Sequence, residues 1–229
     1  IDQLTRIGHL QAEEKLPILG SGKTDFYRNK LEFTFSNKRW KTYEEIASDQ
    51  EIKDEPALGF HVPRLFDKII DIQTCYLQAE PSNTIRNFIR EFSLKHKYTF
   101  FDIREHHGLL RNLIVRTSTT GELMVIVIFY EDNTEQREAL MQAVKNEFPE
   151  ITSLLYVVNQ KANDTIGDQE VVTYNGADHI YEEMEGLRFK IGPKSFYQTN
   201  SEQAYELYKI TRDFAQLEGN ELVYDLYTG

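Results

Sequence analysis

RNLIVRTSTTGELMVIVIFYEDNTEQREALMQAVKNEFPEITSLLYVVNQ, residues 111–160, decides the fold. Two apolar runs, RNLIVRTS and LMVIVIFY, flank TTGE, whose Gly121 suits a tight turn, so the runs read as an antiparallel hairpin. Met124 to Phe129 is apolar at every position, the pattern of a strand covered on both faces. The period then changes: Asp132 or Asn133 can cap a helix, Leu140, Ala143, Val144 and Phe148 share one face of it, and Pro149 stops it. SLLYVVNQ follows as another central strand.

Upstream, PSNTIRNFIREFSLKHK places Ile85, Phe88, Ile89 and Phe92 at helical spacing behind a Ser82/Asn83 cap. LEFTFS alternates with period two and reads as a half-buried strand, with LGFHV as its partner across an acidic loop. Residues 1–14 read as the tail of a helix. The order helix, strand, strand, helix, strand predicts an α+β fold: a central mixed or antiparallel sheet with packed helices, not a doubly wound sheet. Downstream, residues 171–200 read as short strands broken by NG and EG turns. Asn200 and Gln203 then form a capping-box pattern for a helix whose buried stripe is Leu207, Ile210 and Phe214. After LEGN comes a last strand, Leu222–Val223, running into DLYTG. The predicted division is a central α+β domain over 1–199, then, over 200–229, the first helix and strand of another domain.

Composition narrows the function. At 229 residues and 40% hydrophobic, the chain can bury one substantial core. No apolar run reaches the ~20 residues of a membrane span, and no signal-peptide pattern opens the sequence, so a cytoplasmic location without membrane contact is expected. One cysteine, Cys75, excludes an internal disulfide framework or a self-contained thiolate metal site. A formal charge of -11 opposes wholesale attraction to nucleic acid. Locally the balance reverses: FYRNKLEFTFSNKRWK, 26–41, holds Arg28, Lys30, Lys38, Arg39 and Lys41 against Glu32, interleaved with five aromatic residues. That stretch reads either as an amphipathic strand with a solvated cationic face or as a phosphate-and-stacking surface.

FYRNKLEFTF, GFHVPRLFDKIIDIQTCYLQ, LLRNLIVRTSTTGE, GPKSFYQTN and DLYTG occur in that order. Together they resemble the RNA (uracil-5-)-methyltransferases, the bacterial ribosomal-RNA branch more than the transfer-RNA branch, over nearly the whole chain. The resemblance implies an RNA substrate, most readily 23S ribosomal RNA, and S-adenosyl-L-methionine as methyl donor. It also implies that residues 200–229 begin a truncated Rossmann-like methyltransferase domain. In such enzymes a cysteine thiolate adds to uracil carbon 6, the resulting enolate attacks the sulfonium methyl, a base removes the carbon 5 proton, and the thiolate is expelled. By resemblance that cysteine and base lie in a C-terminal part outside these 229 residues, so the chain alone is expected to be inactive.

The resemblance assigns Gln198 to the cofactor near the transferred methyl, with Tyr227 lining the pocket and Asp225 and Gly229 shaping its loop. Phe196 either stacks on the substrate or a flipped neighbouring base, or anchors its loop in the core. Asn200 reads as a helix cap. Arg28, Lys30, Arg111 and Arg116 are candidate RNA-backbone contacts. Cys75 matches the place of the last of four ligands to a [4Fe-4S] cluster in the full-length parent, and one thiolate cannot hold a cluster unaided. Arg64 stands where the family pattern leads one to expect a small residue. Two other readings stand beside this one: a non-catalytic RNA-binding or scaffold module, and a fragment of a transfer-RNA uracil-5-methyltransferase. The oligomeric state is not legible.

Overall fold

The computed structural model describes residues 2–48 and 54–226. A short helix α1 (Asp2–Arg6) precedes an irregular segment, shorter than the helical tail expected over 1–14. The first strand, β1 (Lys30–Ser36), pairs antiparallel with β2 (Ala57–Val62), as the alternation of LEFTFS predicts. Between them the sequence conceals a turn of helix, α2 (Tyr43–Ala47), held by a capping box between Thr42 and Glu45. β3 (Leu65–Asp71) returns along β2 after a two-residue turn, Pro63–Arg64, in which Arg64 adopts φ +71°. Gly59 on β2 is obligatory for packing, because a Cβ there would lie 1.9 Å from the Ile70 carbonyl oxygen.

Helix α3 (Ser82–Lys95) forms where the apolar spacing places it, but its cap differs from expectation. Pro81 is the cap residue and supplies no side-chain bond. Asn83 instead turns back, exchanging hydrogen bonds with the backbone of Cys75, and Ser82 donates to Gln78. The hairpin β4 (Leu110–Thr117) and β5 (Leu123–Phe129) is antiparallel, with Gly121 at φ +82° in its turn. Helix α4 (Thr134–Glu147) is capped by Asn133, whose side chain accepts from Gln136 N–H, while Asp132 pairs with Arg137. β6 (Ser153–Val158) then lies parallel to β5, joined to it by the α4 crossover. With β7 (Val172–Gly176) the sheet has seven strands in the order β3-β2-β1-β4-β5-β6-β7, mixed because β5 and β6 alone are parallel.

Strand alternation gives the sheet two differently covered faces. Leu31, Phe33, Phe35, Leu113, Val115, Val125 and Val127 meet Ile85, Ile89, Leu140 and Val144 of α3 and α4 in the main core. Full burial of each such side chain contributes about 1.5–3 kcal/mol. On the opposite face Ile114, Met124, Ile126, Leu155 and Val157 form a smaller core beneath the hairpin β8 (Ile180–Met184) and β9 (Leu187–Ile191). Helix α5 (Ser201–Ala215) follows. Its expected buried stripe does not form: Leu207 is 54% and Phe214 72% exposed, and of α5 Ala204 alone is buried among the described residues. Leu222 and Val223 are likewise exposed and lie in no strand, since no neighbouring ladder is present to pair them among the described residues.

Candidate functional site

The small core covers β4 to β6, and on the same face β1 contributes polar groups. Leu31, Phe33 and Phe35 face the helices, so Lys30, Glu32 and Thr34 face the other way. The register sets Lys30 opposite Arg116, Glu32 opposite Ile114 and Thr34 opposite Asn112. Lys30, Glu32, Ile114 and Arg116 floor a cleft of about 480 Å³, walled by Asp164–Gly167 and closed on another side by residues 193–197.

Charge in the cleft is held in tension. Burial lowers the Lys30 pKa, the facing Arg116 lowers it further, and Glu32 offsets part of this. Burial raises the Glu32 pKa against the opposing pull of Lys30, with Asp164 adding to the rise. Lys30 Nζ and Glu32 Oε2 are 4.0 Å apart, with both side chains about one-third exposed. Burial likewise lowers the pKa of Arg116.

Residues 192–200 form the loop above the cleft, and three fastenings position it. The Gly192 N–H donates to Ser195 Oγ at 3.0 Å, closing a turn around Pro193. Arg116 Nη2 donates to the Ser195 carbonyl at 2.7 Å and Nη1 to the Gly192 carbonyl at 3.4 Å. Asn29 donates through Nδ2 to the Gln198 carbonyl at 2.8 Å and to Ser201 Oγ at 2.9 Å, and its N–H donates to the Thr199 carbonyl. The fastened backbone alternates: Tyr197 turns in against the smaller core, while Phe196 and Gln198 point outward. Phe196 is 84% exposed. Burial, with Glu182 and Tyr208 nearby, pushes the Tyr197 phenol up to about 12. Asn200 caps α5 by accepting from Gln203 N–H at 3.0 Å; Gln203 does not reciprocate but donates to the Leu19 carbonyl.

The candidate residues thus separate. Phe196, Gln198, Lys30 and Arg116 gather around one cleft and its loop. Arg28 stands beside it, half-buried, with Nε lacking a partner. Arg116 and Arg111 are engaged inside the protein: Arg111 donates to the carbonyls of Asn159, Lys161 and Ala162 and lies over the rings of Phe101 and Tyr130. Asp225 is exposed in an irregular segment; Tyr227 and Gly229 lie outside the described residues. The basic stretch 26–41 resolves mainly toward the amphipathic strand. Phe33 and Phe35 are fully buried, Lys38 pairs with Asp102, and Arg39 and Lys41 pair with Glu55, Arg39 also with Glu45.

Cys75 is a buried free thiol, and no group of three or more metal-binding side chains exists among the described residues. Arg86 is fully buried nearby, donating through Nη2 to the Gln73 carbonyl and lying over the Phe33 ring, with Nε and Nη1 unpartnered. These residues could supply one ligand of a cluster, not a cluster site. Glu32 in the cleft and Asn29, which fastens the loop over it, escape a reading of the sequence. Their only signal is a polar residue at the head and on the outward face of an amphipathic strand.

Fold and site together define an α+β protein with a charged, half-buried cleft, an exposed aromatic ring at its rim and an exposed amide on the loop that closes it. No protein-family profile matches the chain. Over its whole length, however, it is 59% identical to a protein of Bacteroides thetaiotaomicron and 59% identical to one of Porphyromonas gingivalis, both named uncharacterized RNA methyltransferases. It covers 51% and 50% of those two proteins; the chain therefore spans about half the length of the curated relatives it matches. A Chlorobaculum tepidum protein of the same name is 36% identical, with 48% of its length covered. The crystal structure of a Pyrococcus abyssi tRNA (uracil-54, C5)-methyltransferase in complex with S-adenosyl-L-homocysteine shares the fold. Its TM-score is 0.63 at 24% identity, over 84% of this chain and 42% of that one. The chain is related along its entire length to proteins named RNA methyltransferases, which bears out the resemblance read from its motifs. No helix among the described residues is long and apolar enough to cross a membrane.

Proposed function

We propose that this chain is the substrate platform of an S-adenosyl-L-methionine-dependent RNA methyltransferase that forms 5-methyluridine in the cytoplasm, in 23S ribosomal RNA. The observation that carries the reading is the fastened loop 192–200. Arg116 and Asn29 hold its backbone, leaving Phe196 exposed at the rim of a polar cleft and the Gln198 side chain exposed on the same loop. The ribosomal assignment rests on the motif resemblance; the structural neighbour, a transfer-RNA enzyme, supports the fold without choosing between RNA classes.

In this reading α5 and residues 216–229 open the cofactor domain, with Gln198, Asp225, Tyr227 and Gly229 facing S-adenosyl-L-methionine. An exposed amide fits that role, because it can donate and accept at once. The bound cofactor supplies an electrophilic methyl group. The residues of this chain hold RNA against it: Phe196 offers a ring face for a base, Arg28 attracts the backbone, and Lys30 contacts the RNA from the floor of the cleft. Arg116 acts through the loop it fastens. The nucleophile and base belong to the remainder of the complete protein.

The test is Gln198→Ala in the complete protein, measured by transfer of labelled methyl to RNA. Because the side chain is exposed, melting should be unchanged while turnover falls by at least about tenfold, the scale of one lost charge-assisted or cofactor-orienting bond. Unchanged turnover removes Gln198 from the site.

A further inference from the structure

We propose that the cleft over β1 and β4 receives a guanine base of the RNA, with the Glu32 carboxylate accepting from its N1–H and N2–H groups and Lys30 donating to its O6. The inference rests on the RNA-substrate reading above and adds to it the identity of a second recognised base.

The argument begins with which cleft groups are open. The Glu32 carboxylate receives no hydrogen bond from any described residue, and Lys30 lies 4.0 Å from it. Lys30 is equally without a hydrogen-bond partner among the described residues. A half-buried carboxylate and ammonium joined only by a loose ion pair, with no hydrogen bond between them or to any described neighbour, are open to a ligand. Arg116 is not ready: both Nη groups are committed to the loop, and Nε is sealed from solvent.

The open set is therefore one donor beside one carboxylate with two acceptor oxygens. Guanine presents the complementary row along its Watson–Crick edge: acceptor O6, donor N1–H, donor N2–H. Uracil presents acceptor, donor, acceptor, and would need a second donor on the far side of Glu32, which the commitments of Arg116 withhold. Adenine and cytosine each offer one exocyclic amine and leave a carboxylate oxygen without a donor. A phosphate is disfavoured, since Glu32 and Asp164 place two carboxylates around the same space.

Depth and rim fit the same ligand. The cleft holds about 480 Å³, enough for a purine, and Phe196 at its edge is 84% exposed, with a ring face available for stacking. A base can enter only if it leaves its own stack, as bases splayed from RNA loops do.

The test uses the complete protein, S-adenosyl-L-methionine and RNA substrates randomised around the modified uridine, with sequencing of the methylated pool. Wild type should enrich guanine at one position. At that position inosine, which keeps O6 and N1–H but lacks the N2 amine, should lower kcat/KM several-fold. Glu32→Gln, which turns one acceptor into a donor, should lower the preference for guanine by about tenfold and abolish the penalty for inosine. Lys30→Met should weaken the preference while leaving the inosine penalty in place. An unchanged melting temperature in both variants separates recognition from folding. Uridine methylation with no guanine enrichment, or with enrichment that survives Glu32→Gln, overturns the inference and leaves the methyltransferase reading standing. Absence of uridine methylation by wild type overturns that reading first.

Discussion

Replacing Arg116 by Met tests how the platform holds its functional loop. Arg116 is 6% exposed, and its guanidinium bonds the carbonyls of Ser195 at 2.7 Å and Gly192 at 3.4 Å. Hydrogen bonds from a charged donor contribute about 1.5–3 kcal/mol each, and the longer one belongs at or below the low end. Against this stands the cost of burying the charge, visible in the lowered Arg116 pKa and the orphaned Nε, which a methionine of similar length would relieve. The net loss should be about 1–3 kcal/mol, or about 3–10 °C in Tm for a chain of this size. Equilibrium urea denaturation measures the loss. Hydrogen exchange by mass spectrometry should show faster exchange at Ser195 and at Asn29, whose amides bond within and to the loop. The Glu32 carboxyl, losing an attractive cation, should titrate at still higher pH. Stability within about 0.5 kcal/mol of wild type with unchanged loop exchange would refute the fastening role, because ordinary surface substitutions fall in that range.

Two further substitutions probe the scaffold. Burial alone would raise the Asp102 pKa, but bonds from Asn37, Lys38 and the amides of Arg104 and Glu105 outweigh it and hold the carboxyl far below the ordinary range. Its stabilisation is thus complete above the unfolded value of about 4 and is lost as pH falls toward the folded one. Asp102→Asn should cost about 3 kcal/mol at pH 7 and flatten the acid limb of a stability-against-pH curve; an equally steep limb would assign the acid sensitivity elsewhere. Arg64→Gly relieves a side chain held at φ +71° and should raise stability by about 0.5–1 kcal/mol in denaturant titration, whereas a fall would mean that Arg64 makes compensating contacts.

Stretches whose periodicity matched their burial were legible in the sequence. Met124–Phe129 is apolar throughout because it is covered by α3 and α4 on one face and by the β8–β9 hairpin on the other. α5 shows the limit of the same logic. Its 3.6-residue stripe identifies a helix with an apolar face, but periodicity carries no information about what covers that face, and Leu207 and Phe214 lie exposed. β3 was missed because it is an edge strand with Leu65, Phe66 and Ile70 all exposed and Asp67 turned inward to Arg104. Arg111 resembles an RNA contact in sequence; the structure spends its donors on three loop carbonyls. Gln198 and Phe196 are candidates through the motif resemblance. The cleft is not legible in sequence, because its lining comes from residues 30, 32, 114, 116, 164–167 and 193–197, far apart in the chain, whose floor the β1–β4 register sets and whose walls two loops complete.

The most direct measurement is nucleoside mass spectrometry of ribosomal and transfer RNA from cells lacking the gene, before and after incubation with the purified complete protein and S-adenosyl-L-methionine. The account predicts that one 5-methyluridine disappears from 23S ribosomal RNA on deletion and returns on incubation. Methyl transfer to another atom or another base, or no transfer to any RNA, would contradict it.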